Sequence, residues 1–349
     1  MKSTVAGPTP PGVAPGASEP VQRPGPGTGL FVRMVRGEGA GQRNPRLGYL
    51  CAAIAALVSG VSVYVNSLGV KTFTDPVLYT TLKDGVMGLI LLIPLALSAG
   101  WRREYRTLTP KTWAWLVLLA LVGGSVSYAL FFTGLKQTTA ATGAVLNHFE
   151  FVLVAVFALI FLRERISPVM WAGFAVILLG LLFASDMSAF LWNQGALLVL
   201  ASTILFAADF VISKYLLRSL STLLVMTARM TLGTLMLFAY LAVFGHLGAI
   251  AHLTGTQGRY VLASGGLLLV FTVFTFTAIR HVPVAAVAAI GTAAPIVTTV
   301  LQVANTGQWT LTGNADAGLA VVLLAATGVL VLGIRSESAR TRRSHEAAA

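Results

Sequence analysis

Charge is what this chain has little of. Asp, Glu, Lys and Arg make up 10% of its 349 residues against 56% hydrophobic ones, where an ordinary soluble domain is about a quarter charged. That balance excludes a soluble globular fold and implies an integral membrane protein. Cysteine is nearly absent: the single Cys51 cannot close an intrachain disulfide, so nothing points to an oxidised extracellular scaffold. The preceding Leu47, Gly48, Tyr49 and Leu50 lack the small residue expected before a lipoprotein cysteine, so Cys51 reads as buried and inert. The leading segment is not apolar and shows no signal-peptide pattern. No G-x-x-x-x-G-K-[ST] loop is found, which excludes direct drive by ATP. No His/Cys metal set, paired Asp-rich motif or Ser-His-Asp arrangement stands out, so no catalytic residue, metal or cofactor is expected. A loop of the selectivity-filter kind is also missing, which counts against a channel.

What the chain does have is long apolar runs. A bilayer-crossing helix needs about 20 mostly apolar residues, and ten such stretches are legible. They lie near 47–68, 75–98, 112–135, 140–162, 168–185, 194–214, 221–244, 260–280, 283–303 and 314–334. Continuous apolar runs, not alternating ones, predict helices and not barrel strands. The net charge of +12 invites a nucleic-acid reading, but the basic residues follow membrane topology. With the N-terminus inside, 19 Lys and Arg fall on the cytoplasmic side and only Lys71, Lys136 and Arg259 outside, which places both termini in the cytoplasm. Residues 1–46 are Pro- and Gly-rich and basic and are expected to be disordered, and residues 335–349 form a similar basic tail.

The second half repeats the first. AGFAVILLG (Ala172 to Gly180) returns as AGLAVVLLA (Ala317 to Ala325). Phe132, Thr133 and Lys136 align with Phe276, Thr277 and Arg280, and Lys83 aligns with Arg229. This predicts an all-α membrane fold of two five-helix repeats, 47–185 and 190–334, joined near Ser185 to Asn193. Five spans is an odd number, so the second repeat enters the membrane in the opposite sense. Inverted repeats of this kind are a construction of secondary transporters, with a site near the bilayer midplane.

Over residues 47 to 334 the chain resembles the ten-helix drug/metabolite transporter superfamily, in its EamA branch. The resemblance is carried by YALFFTGLKQTTAATGAVL and FEFVLVAVFALIFLRERIS in the third and fourth spans and by WAGFAVILLGLLF in the fifth. The family's fourth span commonly reads Glu-Pro or Thr-Pro near its middle and ends in a Glu-Arg-like turn. Glu150 matches the first position and Glu164 with Arg165 the last. Phe151 stands where the family often has proline, whereas its counterpart Pro295 keeps it, and Gln308 stands where Glu164 would be repeated. The resemblance implies transport of a small molecule such as an amino acid, sugar or drug, with export as the family's habit.

Polar groups inside the spans are the candidate site, because a charge at a span centre costs about 2.5 to 3.5 kcal/mol on insertion scales. Glu150 is the deepest carboxylate. Helical spacing puts it on one face with Gly143, Asn147 and Val154, while His148 falls on another. Glu150 is a candidate to carry a proton or meet a cationic substrate; the alternative is a paired glutamate that ties helices together. Asn66 lies on a face with Ser59 and Ser62, and the sixth span presents Phe206, Asp209 and Ser213 at the matching positions. Such polar stripes also glue helices. Lys214 or Arg229 would neutralise Asp209. Tyr64, Tyr128 and Phe132 are candidates to stack on substrate. Gly291, Thr292 and Pro295 are expected to kink the ninth span. Lys83 and Arg229 are expected to pair with a carboxylate such as Asp84, Glu150 or Asp209, or to snorkel toward the interface, rather than to contact substrate, with Asp84 pointing away from its neighbour Lys83.

These observations predict a secondary transporter, not an enzyme, in the cytoplasmic membrane, possessing proton-coupled or uncoupled alternating access. The expected partners are a small-molecule substrate and the lipid bilayer, with no nucleic acid and no ATP; a homodimer stays open. The competing class is a membrane-embedded enzyme or lipid-handling protein, which would need a catalytic constellation.

Overall fold

Asn44 starts the first helix: its side chain accepts the N–H of Leu47, and Pro45 fills the first helical position, where its missing N–H costs nothing. The same logic repeats down the chain. Thr109 before Pro110, Asn193, Ser221 and Thr254 each cap a helix with a side-chain oxygen, satisfying donors that an α-helix leaves unpaired. The computed structural model describes residues 44–97, 99–138, 142–143, 146–147, 149–164, 168–184, 192–244 and 246–307, together with most of 321–332.

Among the described residues, α-helices run in order: α1 (Pro45–Val70), α2 (Pro76–Leu97), α3 (Ala99–Arg106), α4 (Pro110–Leu121), α5 (Ser127–Gln137), α6 (Glu150–Phe157), α7 (Pro168–Ala184), α8 (Gln194–Leu216), α9 (Thr222–Val243), α10 (Gly255–His281), α11 (Val284–Gly291) and α12 (Ala294–Thr306). Further helical residues lie between 321 and 332. No strand occurs among the described residues. Among the described residues, seven segments are long and apolar enough to cross a membrane: α1, α2, α4 with α5, α8, α9, α10, and α11 with α12. The chain is therefore a multi-pass membrane protein.

The structure differs from the sequence expectation in several places. The fourth stretch is not one continuous helix: Phe149 forms a turn and a helix begins at Glu150. The third and fourth stretches each contain a π turn, Val122–Val126 and Ala158–Leu162. The ninth is interrupted at Thr292 and Ala293. The eighth starts at Gly255, because the reciprocal Thr254–Gln257 capping box sets its beginning there. A short basic helix, α3, occupies what reads as a loop. Of residues 1–46, expected to be disordered, Asn44 caps and Pro45 and Arg46 begin α1; residues 1–43, the basic tail, Gln308, Arg165, His148 and most of the tenth stretch lie outside the described residues.

The two halves of the sequence pack into one another. α1 lies along α10 and also meets α11 and α12, α5 lies along α8, α2 along α9 and α10, and α6 against α8 and α11. Close approach depends on missing side chains. A Cβ on Gly124 would come within 3.0 Å of the Gly233 Cα, and one on Gly134 within 2.8 Å of the Gly195 carbonyl oxygen. Small residues that let backbones approach are the usual means of helix association in lipid, where apolar burial drives little. Leu57, Leu89, Ile93, Phe161, Leu262 and Val243 remain exposed on the outside, the surface that faces acyl chains.

Candidate substrate and coupling site

The π turn in the third span releases backbone groups in the interior, because one extra residue per turn breaks the regular hydrogen-bond ladder. One of them is used at once: the Gly123 carbonyl accepts from Arg229 Nη2 at 2.8 Å. The same guanidinium holds Asp209, with Nε to Oδ1 at 3.0 Å and Nη2 to Oδ2 at 2.9 Å. Nη1 rests on the Met230 sulfur at 3.1 Å. A two-point guanidinium–carboxylate fork is the strongest pairing of its kind, and α8 and α9 are fastened by it where the π turn of the third span meets them. A Cβ at residue 123 would overlap the Asp209 carboxylate, so glycine is required there by close approach.

The equivalent base in the first half is held differently. Lys83 Nζ lies 3.8 Å from Asp84 Oδ1 and 5.9 Å from the centroid of the Tyr128 ring. Asp84 therefore does not point away from Lys83: adjacent residues leave a helix about 100° apart, but the lysine stem is long enough to bend back. Both Asp84 oxygens are buried without a hydrogen-bond partner among the described residues. Tyr128 stands edge-on to Phe206 at 5.2 Å, and Phe131 continues the aromatic group toward Phe132 and Phe206.

Glu150 is the first residue of α6. It is partly exposed within the bundle and within electrostatic reach of Asp209 and Arg229. None of the ion pairs among the described residues includes it. Asn147, also partly exposed, precedes the turn, so the two do not share one continuous helical face. Among the described residues the charges around Glu150 thus comprise three carboxyls, Asp84, Asp209 and Glu150, against two bases, Lys83 and Arg229. Asp209 takes Arg229, Asp84 takes Lys83, and Glu150 is left over.

The break in the ninth span lies 144 residues further on, α12 beginning at Ala294 as α6 begins at Glu150. Thr292 turns its hydroxyl back to the Ala289 carbonyl at 2.6 Å. Pro295 occupies the first turn of α12, where it needs no donor. Thr298 donates to the Gly60 carbonyl of α1 at 2.8 Å, and a Cβ on Gly60 would come within 2.5 Å of the Ala294 carbonyl oxygen.

Asn66 belongs to a different group, near the Val70 end of α1. Its Nδ2 donates to Ser62 at 3.2 Å and its Oδ1 accepts from the Tyr79 hydroxyl at 2.8 Å. Since Tyr79 spends its only proton on Asn66, Ser264 must donate to Tyr79 across their 2.6 Å contact. The chain Ser62–Asn66–Tyr79–Ser264 joins α1, α2 and α10. Lys214 does not serve Asp209: it donates to the Ile279 and Val282 carbonyls. Sequence reasoning missed Gly123, Met230, Tyr79 and Glu104. A glycine pair at 123 and 124 inside an apolar run was the available signal for the first.

Over residues 46–185 and again over 193–332 the chain matches the EamA-like transporter family. It is similar to an uncharacterised transporter of a Sinorhizobium species, 28% identical over 131 residues, which is 38% of this chain and 91% of that protein. An uncharacterised transporter of Methanothermobacter thermautotrophicus is 27% identical over 212 residues, 57% of this chain and 62% of that protein. One of Bacillus subtilis is 29% identical over 140 residues, 39% and 46% respectively. These last two alignments span less than two thirds of those proteins' length. A solved crystal structure superposes with a TM-score of 0.66 over 82% of this chain and 98% of that chain at 20% identity, a likeness of fold alone. With two consecutive matches covering most of its length, the chain belongs to the EamA-like transporter family and is a transporter, not an enzyme.

Proposed function

We propose that the protein is a secondary transporter of the cytoplasmic membrane. It moves a small metabolite, an amino acid, sugar or drug-like compound, by alternating access between two inverted five-helix repeats, 47–185 and 190–334. Ten spans place both termini in the cytoplasm, and the direction is export. Glu150 is the coupling residue, binding a proton or the cationic group of the substrate, with Asn147, Tyr128, Asp209, Thr292 and Pro295 around the pathway.

The observation that supports this reading is the uneven charge count among the described residues of the interior. A carboxyl left without a base at membrane depth is costly as an anion, so it takes a proton or a cationic ligand, and exchange between the two couples one to the other. Its position at the start of a helix that interrupts a span matches the broken helices on which transporter sites are built. Uptake into vesicles under an imposed pH gradient, screened over amino acids, sugars and cationic drugs, tests the reading. The expected result is gradient-driven accumulation of at least one compound, lost in Glu150→Gln. Accumulation that ignores both the gradient and the substitution would overturn the coupling role.

A further inference from the structure

At the end of the bundle where α1 begins, two carboxylates from the first repeat each sit on a helix N-terminus of the second. Glu104, in α3, accepts from the Ser221 N–H at 2.9 Å through Oε1 and from the Ser221 hydroxyl at 2.7 Å through Oε2; Ser221 is the N-cap of α9. Glu164 accepts from the N–H of Val284, the first residue of α11, at 3.0 Å, and its other oxygen lies 3.9 Å from Lys214 Nζ. Helix starts carry unpaired N–H groups and a partial positive charge, so both anions are favourably placed.

Cations of the second repeat close the same end. Lys214 donates to the Ile279 and Val282 carbonyls where α10 finishes. Arg280 donates to the Leu220 carbonyl at 3.3 Å and to the Thr222 hydroxyl at 3.4 Å. The start of α1 is drawn in too, the Asn44 N–H donating to His281 Nδ1 at 3.3 Å while Gly48 abuts His281 and Val282.

Glu164 reaches its position through an unfavourable turn. Arg163 has φ 52° and is the one non-glycine residue with positive φ among the described residues, a left-handed conformation that costs an L-residue energy. The turn closes the π segment and aims Glu164 back across the bundle, with its N–H on the Ala158 carbonyl at 3.1 Å.

We propose that Glu104 and Glu164 are gate residues: they latch the first repeat onto the starts of α9 and α11, and this end opens only when both let go. Each carboxylate sits on an N–H at a helix start and on one further polar group, the Ser221 hydroxyl or the Lys214 ammonium, partners that water can replace once the end opens. The helix packing deeper in the bundle, such as Gly124 on Gly233, has no such substitute. The inference rests on the alternating-access reading above and on its orientation, which makes this end cytoplasmic.

The only thiol of the chain reports on it. Cys51 is 1% exposed and lies one turn from Gly48, behind the α10–α11 junction. The full-length protein is reconstituted in inside-out and right-side-out vesicles, and Cys51 is modified with a membrane-impermeant methanethiosulfonate. The expected result is a rise in the inside-out rate of roughly threefold for Glu104→Gln and for Glu164→Gln and of roughly tenfold for the double variant, as a closed population shifts to open. Melting temperatures should stay at the wild-type value, and Glu164→Asp, which keeps the charge, should fall nearer wild type than Glu164→Gln. Unchanged rates in all three Gln variants overturn the latch, and so does a rise accompanied by a fall in melting temperature, since unfolding also exposes Cys51. A rise confined to right-side-out vesicles supports the latch and overturns the cytoplasmic placement.

Discussion

Arg229 grips Asp209 through two hydrogen bonds of 3.0 and 2.9 Å, one to each carboxylate oxygen, and gives a further bond to the Gly123 carbonyl. The pair is buried on both sides, so neither partner can fall back on water when the other is removed. Asp209→Ala should destabilise the protein by about 3 to 5 kcal/mol, the cost of an uncompensated buried charge. Asp209→Leu combined with Arg229→Met should recover most of that loss, though not all, because the Gly123 carbonyl still loses its donor. Denaturation in detergent measures both; a double variant no more stable than Asp209→Ala would show that the fork is not an isolated pair.

Gly123→Ala should be severe for a different reason. The added methyl falls on the Asp209 carboxylate and either displaces it or opens the π turn, so a marked drop in melting temperature is expected. Gly258→Ala serves as the comparison, since nothing lies within 4 Å of a Cβ there; a similar loss at both positions would refute the steric account.

Tyr79→Phe removes one hydroxyl and strands two partners, the buried Ser264 and the partly exposed Asn66. The expected loss is about 1 to 3 kcal/mol, the range for leaving polar groups unsatisfied. Hydrogen exchange at the Val70 end of α1 should accelerate. If stability is unchanged, the hydroxyl contacts are not holding α1, α2 and α10 together.

For Glu150 the prediction separates chemistry from architecture. Glu150→Gln keeps the shape and most hydrogen-bonding capacity but cannot ionise. It should melt like wild type, lose accumulation driven by a pH gradient, and lose exchange as well if the carboxylate also binds the substrate. Wild-type accumulation in this variant would remove Glu150 from the mechanism.

Seven of the ten expected spans are helices of crossing length among the described residues, and they were readable because hydrocarbon imposes one strict demand, some 20 apolar residues with an internally satisfied backbone. Lys83, Glu150, Asp209 and Arg229 were conspicuous for the same reason: a charge in an apolar run has few neutral explanations. Which acid meets which base was not readable. Lys83 bends back to its own neighbour, and Lys214 turns from Asp209 to the end of α10, because long flexible stems choose partners that only packing supplies. The turn at Phe149 carries neither proline nor glycine, so the break before Glu150 left no local mark, whereas Thr292 and Pro295 announced the corresponding one. Glu104 was hidden in a basic stretch, Arg102 to Arg106, where charge reads as topology.

α1 and α10, with 26 and 27 residues, are each about 40 Å long at 1.5 Å per residue, some 10 Å more than a typical hydrocarbon layer. Packed along one another, they must lean together or carry their ends into the headgroups. Acyl chain length therefore becomes a physical variable of this protein: a thicker bilayer stands the pair upright and a thinner one lays it over. Because the Gly48 end of α1 is pressed against the finish of α10, any such change of tilt is delivered to the junction with α11.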